Sequence, residues 1–240
     1  NDYYLLFRED EQSLYLYSRV SPKGSKVILG FSPYQEPDDG IGPFSSLFNK
    51  GVNLKTVDSL AGVDAVVLWG GEDIAPILYA EKPVGYSGPE SPSRRDLFEH
   101  EICRQAYLDG KPIIGVCRGA QFICAFAGGK LVQDVSGHNS GSGHLITTDD
   151  GKRMNVTSAH HQMLYPYDVE HKLIAWSTER RSERYVGISK EEQERMETEP
   201  EVVYFPEVNG YAIQCHPEWH TNIHIFNSWV MNSIKAHCFK

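Results

Sequence analysis

The chain has 240 residues, 40% of them hydrophobic and 23% charged, and its formal net charge at pH 7 is −9. This length and composition are those of a globular protein that can bury a large core, and they favour one domain. The acidic balance and the absence of basic clusters beyond two arginine pairs argue against nucleic acid and anionic membranes as partners. No apolar run approaches the roughly 18 residues of a membrane span, and no secretory signal opens the chain.

The five cysteines are odd in number and lack the spacing of a disulfide framework. This pattern predicts free thiols in a reducing compartment, and therefore a cytoplasmic protein.

The first half of the chain alternates strand-like and helix-like segments. Residues 3–20 predict a β-hairpin in which 3–7 pairs with 13–18, and we treat 1–25 as an extension ahead of a single domain over 26–240. Strands are predicted at 26–31, 53–57 and 65–69, and helices at 44–49 and 96–108, the latter capped by Ser93 or Asp96. This alternation predicts an α/β fold with a doubly wound, mainly parallel central sheet and flanking helices.

Residues 113–121 carry the strongest local signal. An apolar run ends at Gly115-Val116-Cys117-Arg118-Gly119, and a helix pattern continues to about residue 127. A strand that turns sharply into a helix is a nucleophile elbow, and small residues flank the turn because it leaves little room. The helix N-terminus favours the thiolate form, so the pattern predicts Cys117 as a nucleophile.

The second half is richer in short β-like runs. We predict strands at 130–133, 144–148, 155–158, 172–176, 202–205 and 211–215, and a final helix at 221–237. Ser189 opens a capping box, and the charged run over 179–201 is most simply a solvated surface segment. The Gly/Ser-rich segment 137–143 is predicted to be a mobile loop, bracketed by His138 and His144.

A base for Cys117 is predicted at Gln214-Cys215-His216-Pro217-Glu218. His216 follows a strand end, at the sheet edge where Cys117 is expected, and Glu218 can hold the imidazole in one tautomer. His216, His220 and His224 recur at helical spacing, as metal ligands can, but Pro217 and the preceding strand place His216 outside the helix. We therefore expect no metal and no cofactor.

These residues fit acyl transfer through a thioester, which needs donors for an oxyanion. The backbone N–H of Arg118 follows the nucleophile and is the usual first donor. Gly71, in the glycine turn after the strand at 65–69, is the candidate for the second.

The elbow and the His-Pro-Glu motif together resemble the class I glutamine amidotransferase superfamily, and most closely its γ-glutamyl hydrolase branch (peptidase C26-like), which includes γ-glutamyl-GABA hydrolases. Four more stretches are similar to that branch and occur in the same order: 69–79, 95–99, 128–134 and 158–162. The resemblance covers about 26–235 and implies a flavodoxin-like three-layer fold.

The resemblance also implies roles for individual residues. Cys117 would be the nucleophile, His216 the base and Glu218 its orienting partner, with Gly71 and Arg118 as oxyanion donors. A small-molecule γ-glutamyl substrate would be lined by Gln121, His160, His161 and Gln162. Three departures from the family pattern concern the substrate: the extra first 25 residues, the absence of an Asp-Gly-x-x-Glu-like stretch near 180–201, and Trp69 in place of a proline.

Three functions remain open at this point. The chain could hydrolyse a γ-glutamyl amide, act as a glutaminase subunit that passes ammonia to a synthase partner, or be a non-catalytic binding module. Alternative roles also exist for single residues, because His160 and His161 could be ordinary loop histidines, and Arg95-Asp96 is most simply an ion pair at a helix start. The sequence does not identify the amine of the substrate, the oligomeric state or the pathway.

Overall fold

The computed structural model describes residues 3–8, 13–18, 42–48, 53–54, 63–85, 88–139, 143–219 and 224–239. The helices in these ranges are α1 (Arg94–Leu108), α2 (Arg118–Phe126), α3 (Lys190–Arg195) and α4 (His224–Cys238). The strands are β1 (Tyr3–Arg8), β2 (Ser13–Ser18), β3 (Asn53–Leu54), β4 (Val63–Leu68), β5 (Ile113–Val116), β6 (Lys130–Val132), β7 (Asp134–Val135), β8 (His144–Thr148), β9 (Arg153–Val156), β10 (Met163–Tyr165), β11 (Lys172–Ser177), β12 (Tyr185–Val186), β13 (Pro200–Phe205) and β14 (Gly210–Ile213).

Ten of these strands form one sheet in the order β3-β2-β1-β4-β5-β14-β13-β11-β8-β9. The central strands β1, β4, β5 and β14 are parallel, and the strands on both sides of them pair antiparallel. The predicted α/β class is confirmed, and the antiparallel additions make the sheet mixed. The pairs β6–β10 and β7–β12 form two small separate sheets.

The N-terminal hairpin is confirmed, because β1 pairs antiparallel with β2 from Tyr3 opposite Ser18 to Arg8 opposite Ser13. Strand β1 also pairs in parallel with β4, so the hairpin joins the main sheet. The strand predicted at 26–31 lies outside the described residues. The domain boundary at residue 25 stays a prediction.

The helix starts follow their local chemistry. The Ser93 hydroxyl accepts from the Asp96 N–H, and the Asp96 carboxylate accepts from the Ser93 N–H, so Ser93 is the cap of α1. The predicted capping box at Ser189 is likewise present at α3. The short helix expected at 44–49 is a 3₁₀ helix at Gly42–Ser46. No helix among the described residues has both the length and the apolar character that crossing a membrane requires.

The core lies on both faces of the sheet, because successive strand side chains point to opposite sides. From β4, Val67 packs on the face that α4 covers through Phe226. Val66 packs on the opposite face with Ile102 of α1 and Ile123 of α2. The result is the predicted three-layer arrangement, and it brings the carboxyl ends of β4, β5 and β14 to one edge.

The charged run over 179–201 is not a solvated segment throughout, so that expectation is wrong at its end. Glu199 is 1% exposed and Glu201 is 0% exposed. Strand β13 begins at Pro200 inside this run and carries Glu201 into the protein. The composition of the run gave no sign of this, because both glutamates meet histidines far away in sequence.

Candidate active site

Cys117 lies at the turn between β5 and α2, at the carboxyl edge of the parallel strands. Its backbone has φ of 51° and ψ of −107°, a conformation that non-glycine residues rarely adopt. The Cys117 N–H donates to the Ile213 carbonyl of β14 at 2.7 Å, which fixes the turn against the neighbouring strand. The predicted elbow is therefore present, and Cys117 is 7% exposed at its tip.

The two flanking glycines are required by contact distances. A Cβ at Gly115 would lie 2.3 Å from the Gly119 carbonyl oxygen, and a Cβ at Gly119 would lie 2.2 Å from the Leu68 carbonyl oxygen. Any side chain at either position would force α2 away from β4 and β5.

His216 follows β14 and contacts both partners that the sequence predicts for it. Its Nδ1 lies 2.7 Å from Glu218 Oε1, and both side chains are buried. Because an ionised carboxylate only accepts, Nδ1–H donates to Glu218 and leaves Nε2 for another partner. Cys117 also interacts with this ring, since its charge and its side chain both raise the pKa of His216.

Two residues that the sequence did not single out hold His216 in place. Its N–H donates to Thr157 Oγ1 at 2.9 Å, and the Thr157 hydroxyl donates to the His216 carbonyl at 3.2 Å. The indole of Trp219 stacks on the imidazole, with ring centroids 3.9 Å apart and planes 6° from parallel. No local pattern marks Thr157, which is 59 residues from His216 along the chain.

The charge state of His216 follows from these neighbours. Burial opposes the imidazolium, but the charges of Cys117 and Glu218 and their hydrogen bonds outweigh burial and raise the pKa of His216 to about 10. A protonated imidazole beside a thiolate is the arrangement that activates a cysteine nucleophile.

The other thiols lie in different surroundings. All five cysteines are free and buried. Burial raises the pKa of Cys103 and Cys215 well above its usual value and that of Cys124 to about 12. These three thiols are therefore inert core groups at neutral pH, as the sequence predicts for them.

The Arg118 side chain turns away from Cys117 and into a buried ion network on α1. Its guanidinium binds the carboxylates of Asp96 and Glu99. Arg95 Nε also donates to Glu99 at 2.8 Å. The expected helix-start ion pair is thus part of a larger network that ties α1 to the elbow.

Arg95 extends this network to the glycine turn after β4. Its Nη2 donates to the carbonyl oxygens of Trp69 at 2.8 Å and Gly70 at 3.1 Å. Gly71, next in the chain, has φ of 148°, which favours glycine. The turn that carries the second candidate oxyanion donor is therefore held by the same network of charged side chains as the elbow.

We predict that Glu99→Gln destabilises the protein by about 3–5 kcal/mol, because it leaves buried guanidinium charge without its full counter-charge. The amide would also turn a donor toward an arginine. Glu101→Gln is the matched control, since its partner Arg104 is exposed on the same helix, and it should cost less than about 1 kcal/mol. Urea unfolding of both variants measures the difference, and equal losses would contradict this role for Glu99.

The predicted pocket residues fall into two environments. Gln121 is buried, and its Nε2 donates to the Gln162 carbonyl at 3.1 Å. His161 is half-buried and its Nε2 lies 2.9 Å from Asp73, beside the glycine turn; the hydrogen bond with Asp73 raises the pKa of His161. His160 is buried and points toward Glu201.

The histidines of the glycine-rich segment also differ from expectation. His138 and His144 are 0% and 6% exposed and lie against Glu201, so neither is a mobile-loop side chain. Residues 140–142 of that segment, and the side chains of His220 and His224, lie outside the described part of the chain.

Comparison with known proteins finds relatives of part of the chain. The Peptidase C26 family model matches residues 49–167. The glutamine amidotransferase-like protein YvdE of Lactococcus lactis subsp. lactis is 42% identical over 97 residues, which are 40% of this chain and 40% of that protein. Its homolog from subsp. cremoris is 45% identical over 83 residues, 35% of this chain and 44% of that protein.

The matched region spans less than half the length of these two curated relatives. Among solved structures, PurLQS from Thermotoga maritima is similar with a TM-score of 0.49 and 14% identity, covering 75% of this chain and 82% of that one. Over this part of its length, the chain is similar to the Peptidase C26 family and to glutamine amidotransferase-like proteins.

Proposed function

We propose that the chain is a cysteine hydrolase that cleaves a γ-glutamyl amide bond through a thioester. The proposal rests on the elbow geometry of Cys117 together with the buried His216 ring, which interacts with Cys117 and lies 2.7 Å from Glu218. Similarity to the Peptidase C26 family and to glutamine amidotransferase-like proteins supports a hydrolase or amidotransferase type of enzyme. The γ-glutamyl bond is the finer part of the proposal.

In the first step, the Cys117 thiolate attacks the γ-carbonyl carbon, forming a C–S bond. The C–N bond then breaks as His216 gives its proton to the leaving amine. In the second step, His216 takes a proton from water as its oxygen attacks the thioester carbon. The C–S bond then breaks, which releases glutamate and restores the Cys117 thiolate beside the His216 imidazolium. Glu218 holds the imidazole in the tautomer that both steps need.

Two backbone donors are proposed for the oxyanion of each tetrahedral intermediate. The Arg118 N–H is the first, at the N-terminus of α2, where the helix dipole adds to its effect. The Gly71 N–H is the second, on the turn that Arg95 holds. Both would be fixed before substrate arrives, which is the condition for strong transition-state stabilisation.

We propose that Gln121 and the loop of His160, His161 and Gln162 lie along the γ-glutamyl group. The Gln121 bond to the Gln162 carbonyl joins the elbow helix to this loop and supports the assignment. The proposal includes a small-molecule substrate and a cytoplasmic location.

A screen of γ-glutamyl amides, free glutamine included, tests the function, with mass detection of glutamate and the released amine. We expect at least one γ-glutamyl amide to be hydrolysed by the chain alone and not by its Cys117→Ala variant. Turnover of glutamine only when a synthase is added would replace hydrolysis by ammonia supply. No turnover of any amide and no reaction of Cys117 would indicate a binding module.

A further inference from the structure

A second group of ionisable side chains lies buried beside the candidate active site and includes none of the proposed triad residues or oxyanion donors. It comprises His138, His144, His160, Glu199 and Glu201, called here the histidine–glutamate cluster. Each of the five is at most 6% exposed. They come from four places in the chain: the residues after β7, the start of β8, the chain between β9 and β10, and the residues at the start of β13.

Three ring nitrogens converge on one oxygen of Glu201. The Oε1 atom lies 2.7 Å from His144 Nε2, 3.4 Å from His138 Nδ1 and 3.8 Å from His160 Nε2. None of these contacts has the geometry of a hydrogen bond. Among the described residues, these nitrogens and both Glu201 oxygens have no hydrogen-bond partner. Buried polar atoms in this state are costly unless something else satisfies them.

The hydrogen bonds on the outer sides of the His138 and His160 rings determine which ring nitrogen carries the proton. His138 Nε2 lies 2.9 Å from Glu199 Oε2. The Glu199 carboxylate also accepts from the N–H groups of Arg181 and Ser182, so His138 Nε2–H is the donor. His160 Nδ1 lies 2.9 Å from the Gln162 carbonyl and must likewise donate. In their neutral forms, both rings therefore turn a lone pair toward the Glu201 carboxylate.

We propose that His138 Nδ1, His160 Nε2 and Glu201 bind a divalent transition-metal ion, with zinc as the best match. With both rings neutral, three acceptors face one another, and a metal cation between them would satisfy all three. The three candidate ligand atoms lie within 4.8 Å of one another. Ligand atoms on a tetrahedral zinc are spaced about 3.4 Å apart for bond lengths of ~2.0–2.1 Å, close to the two distances from Glu201 Oε1 to these rings.

The surroundings are those of a metal site. A metal-binding histidine commonly donates its other N–H to a carboxylate or a backbone carbonyl, and His138 and His160 do one each. His144 Nε2 lies 2.7 Å from Glu201 Oε1, too close for both atoms to bind one ion, so His144 is left outside the proposed ligand set. Two imidazoles and one carboxylate suit zinc better than magnesium or calcium, which prefer oxygen ligands.

The metal would brace the segment that holds the candidate base. His160 is three residues after Thr157, whose hydroxyl is bonded to the His216 backbone. Glu201 is linked to the same region, since its carbonyl accepts from the Gln214 N–H at 2.8 Å. The ion would therefore join β13 to the 157–162 loop and stabilise the position of His216 indirectly.

Metal titration of the full chain tests this site at pH 7. The Cys117→Ser variant is used as background so that the elbow thiolate cannot bind zinc. We expect one equivalent of zinc per chain, measured against a chromophoric chelator, and a rise in Tm. Cobalt should give the visible bands of a four-coordinate ion without sulfur-to-cobalt charge transfer. Either the absence of zinc binding or a sulfur-to-cobalt band would overturn the proposal, and neither outcome depends on how the ligand variants fold.

Variants then locate the ion. In the same background, His138→Ala and Glu201→Gln should lose the bound equivalent, while Glu199→Gln should weaken zinc binding roughly 10- to 100-fold. His171→Ala is the matched control and should keep full affinity, because that ring bonds only the Val169 carbonyl among its hydrogen bonds in the described chain. Unchanged zinc affinity in folded His138→Ala or Glu201→Gln protein would also overturn the proposal.

Discussion

Replacing Cys117 by alanine is expected to lower kcat/KM for a γ-glutamyl amide by about 10⁴-fold or more, because the thioester can no longer form. The fold should survive. Alanine keeps the Cβ, so the backbone at φ of 51° is no more strained than before. Steady-state kinetics on substrate found in the amide screen, with circular dichroism and Tm as checks of folding, give the result.

Cys103→Ala is the control for loss of a thiol as such. Cys103 is fully buried on α1, and burial raises its pKa well above the usual value. Its removal should cost some stability and leave kcat/KM within a few-fold of wild type. A Cys117→Ala enzyme that keeps more than a tenth of wild-type activity would show that Cys117 is not the nucleophile.

The second large effect is expected at His216 and Glu218. His216→Ala should reduce kcat by about as much as the loss of Cys117, because nucleophile and base act as a unit. Glu218→Gln should cost less, roughly 10²- to 10⁴-fold, because it impairs orientation and charge but leaves the imidazole. A loss at Glu218 that exceeds the loss at His216 would contradict these roles.

The pH dependence of activity tests whether the charge of His216 matters or only its packing. The charges of Cys117 and Glu218 together outweigh burial and raise the pKa of His216 to about 10, so the imidazolium is present below that pH and is lost above it. Activity that needs the imidazolium should therefore fall as pH rises through about 10. In Glu218→Gln one of the two charges is gone, so the basic limb should move to lower pH. Glu207→Gln, at an exposed carboxylate in the 3₁₀ helix Pro206–Val208, should leave the limb in place.

The elements that the sequence predicts well are those fixed by neighbours in the chain. The elbow depends on Gly115 and Gly119, whose contact distances admit no Cβ, and both lie within four residues of each other. The capping boxes at Ser93 and Ser189 are also local, because each joins two residues that are three positions apart. Such signals are visible in sequence because cause and effect are local.

The features that could not be predicted from the sequence depend on partners that are far apart along the chain. Glu199 bonds His138 across 61 residues, and this pairing buries the end of a segment whose composition indicates a surface. Thr157 reaches His216 across 59 residues. The entry of β1 into the main sheet is also a matter of tertiary pairing, since the hairpin pattern alone does not say which strand lies beside it.

The role of Cys117 as a nucleophile activated by His216 is tested by labelling with a γ-glutamyl electrophile, such as 6-diazo-5-oxonorleucine, followed by peptide mass mapping. We predict one adduct, on Cys117. It should form much more slowly in His216→Ala, and a γ-glutamyl amide that the enzyme hydrolyses should prevent it. An adduct on another cysteine, or equal labelling rates with and without His216, would contradict it.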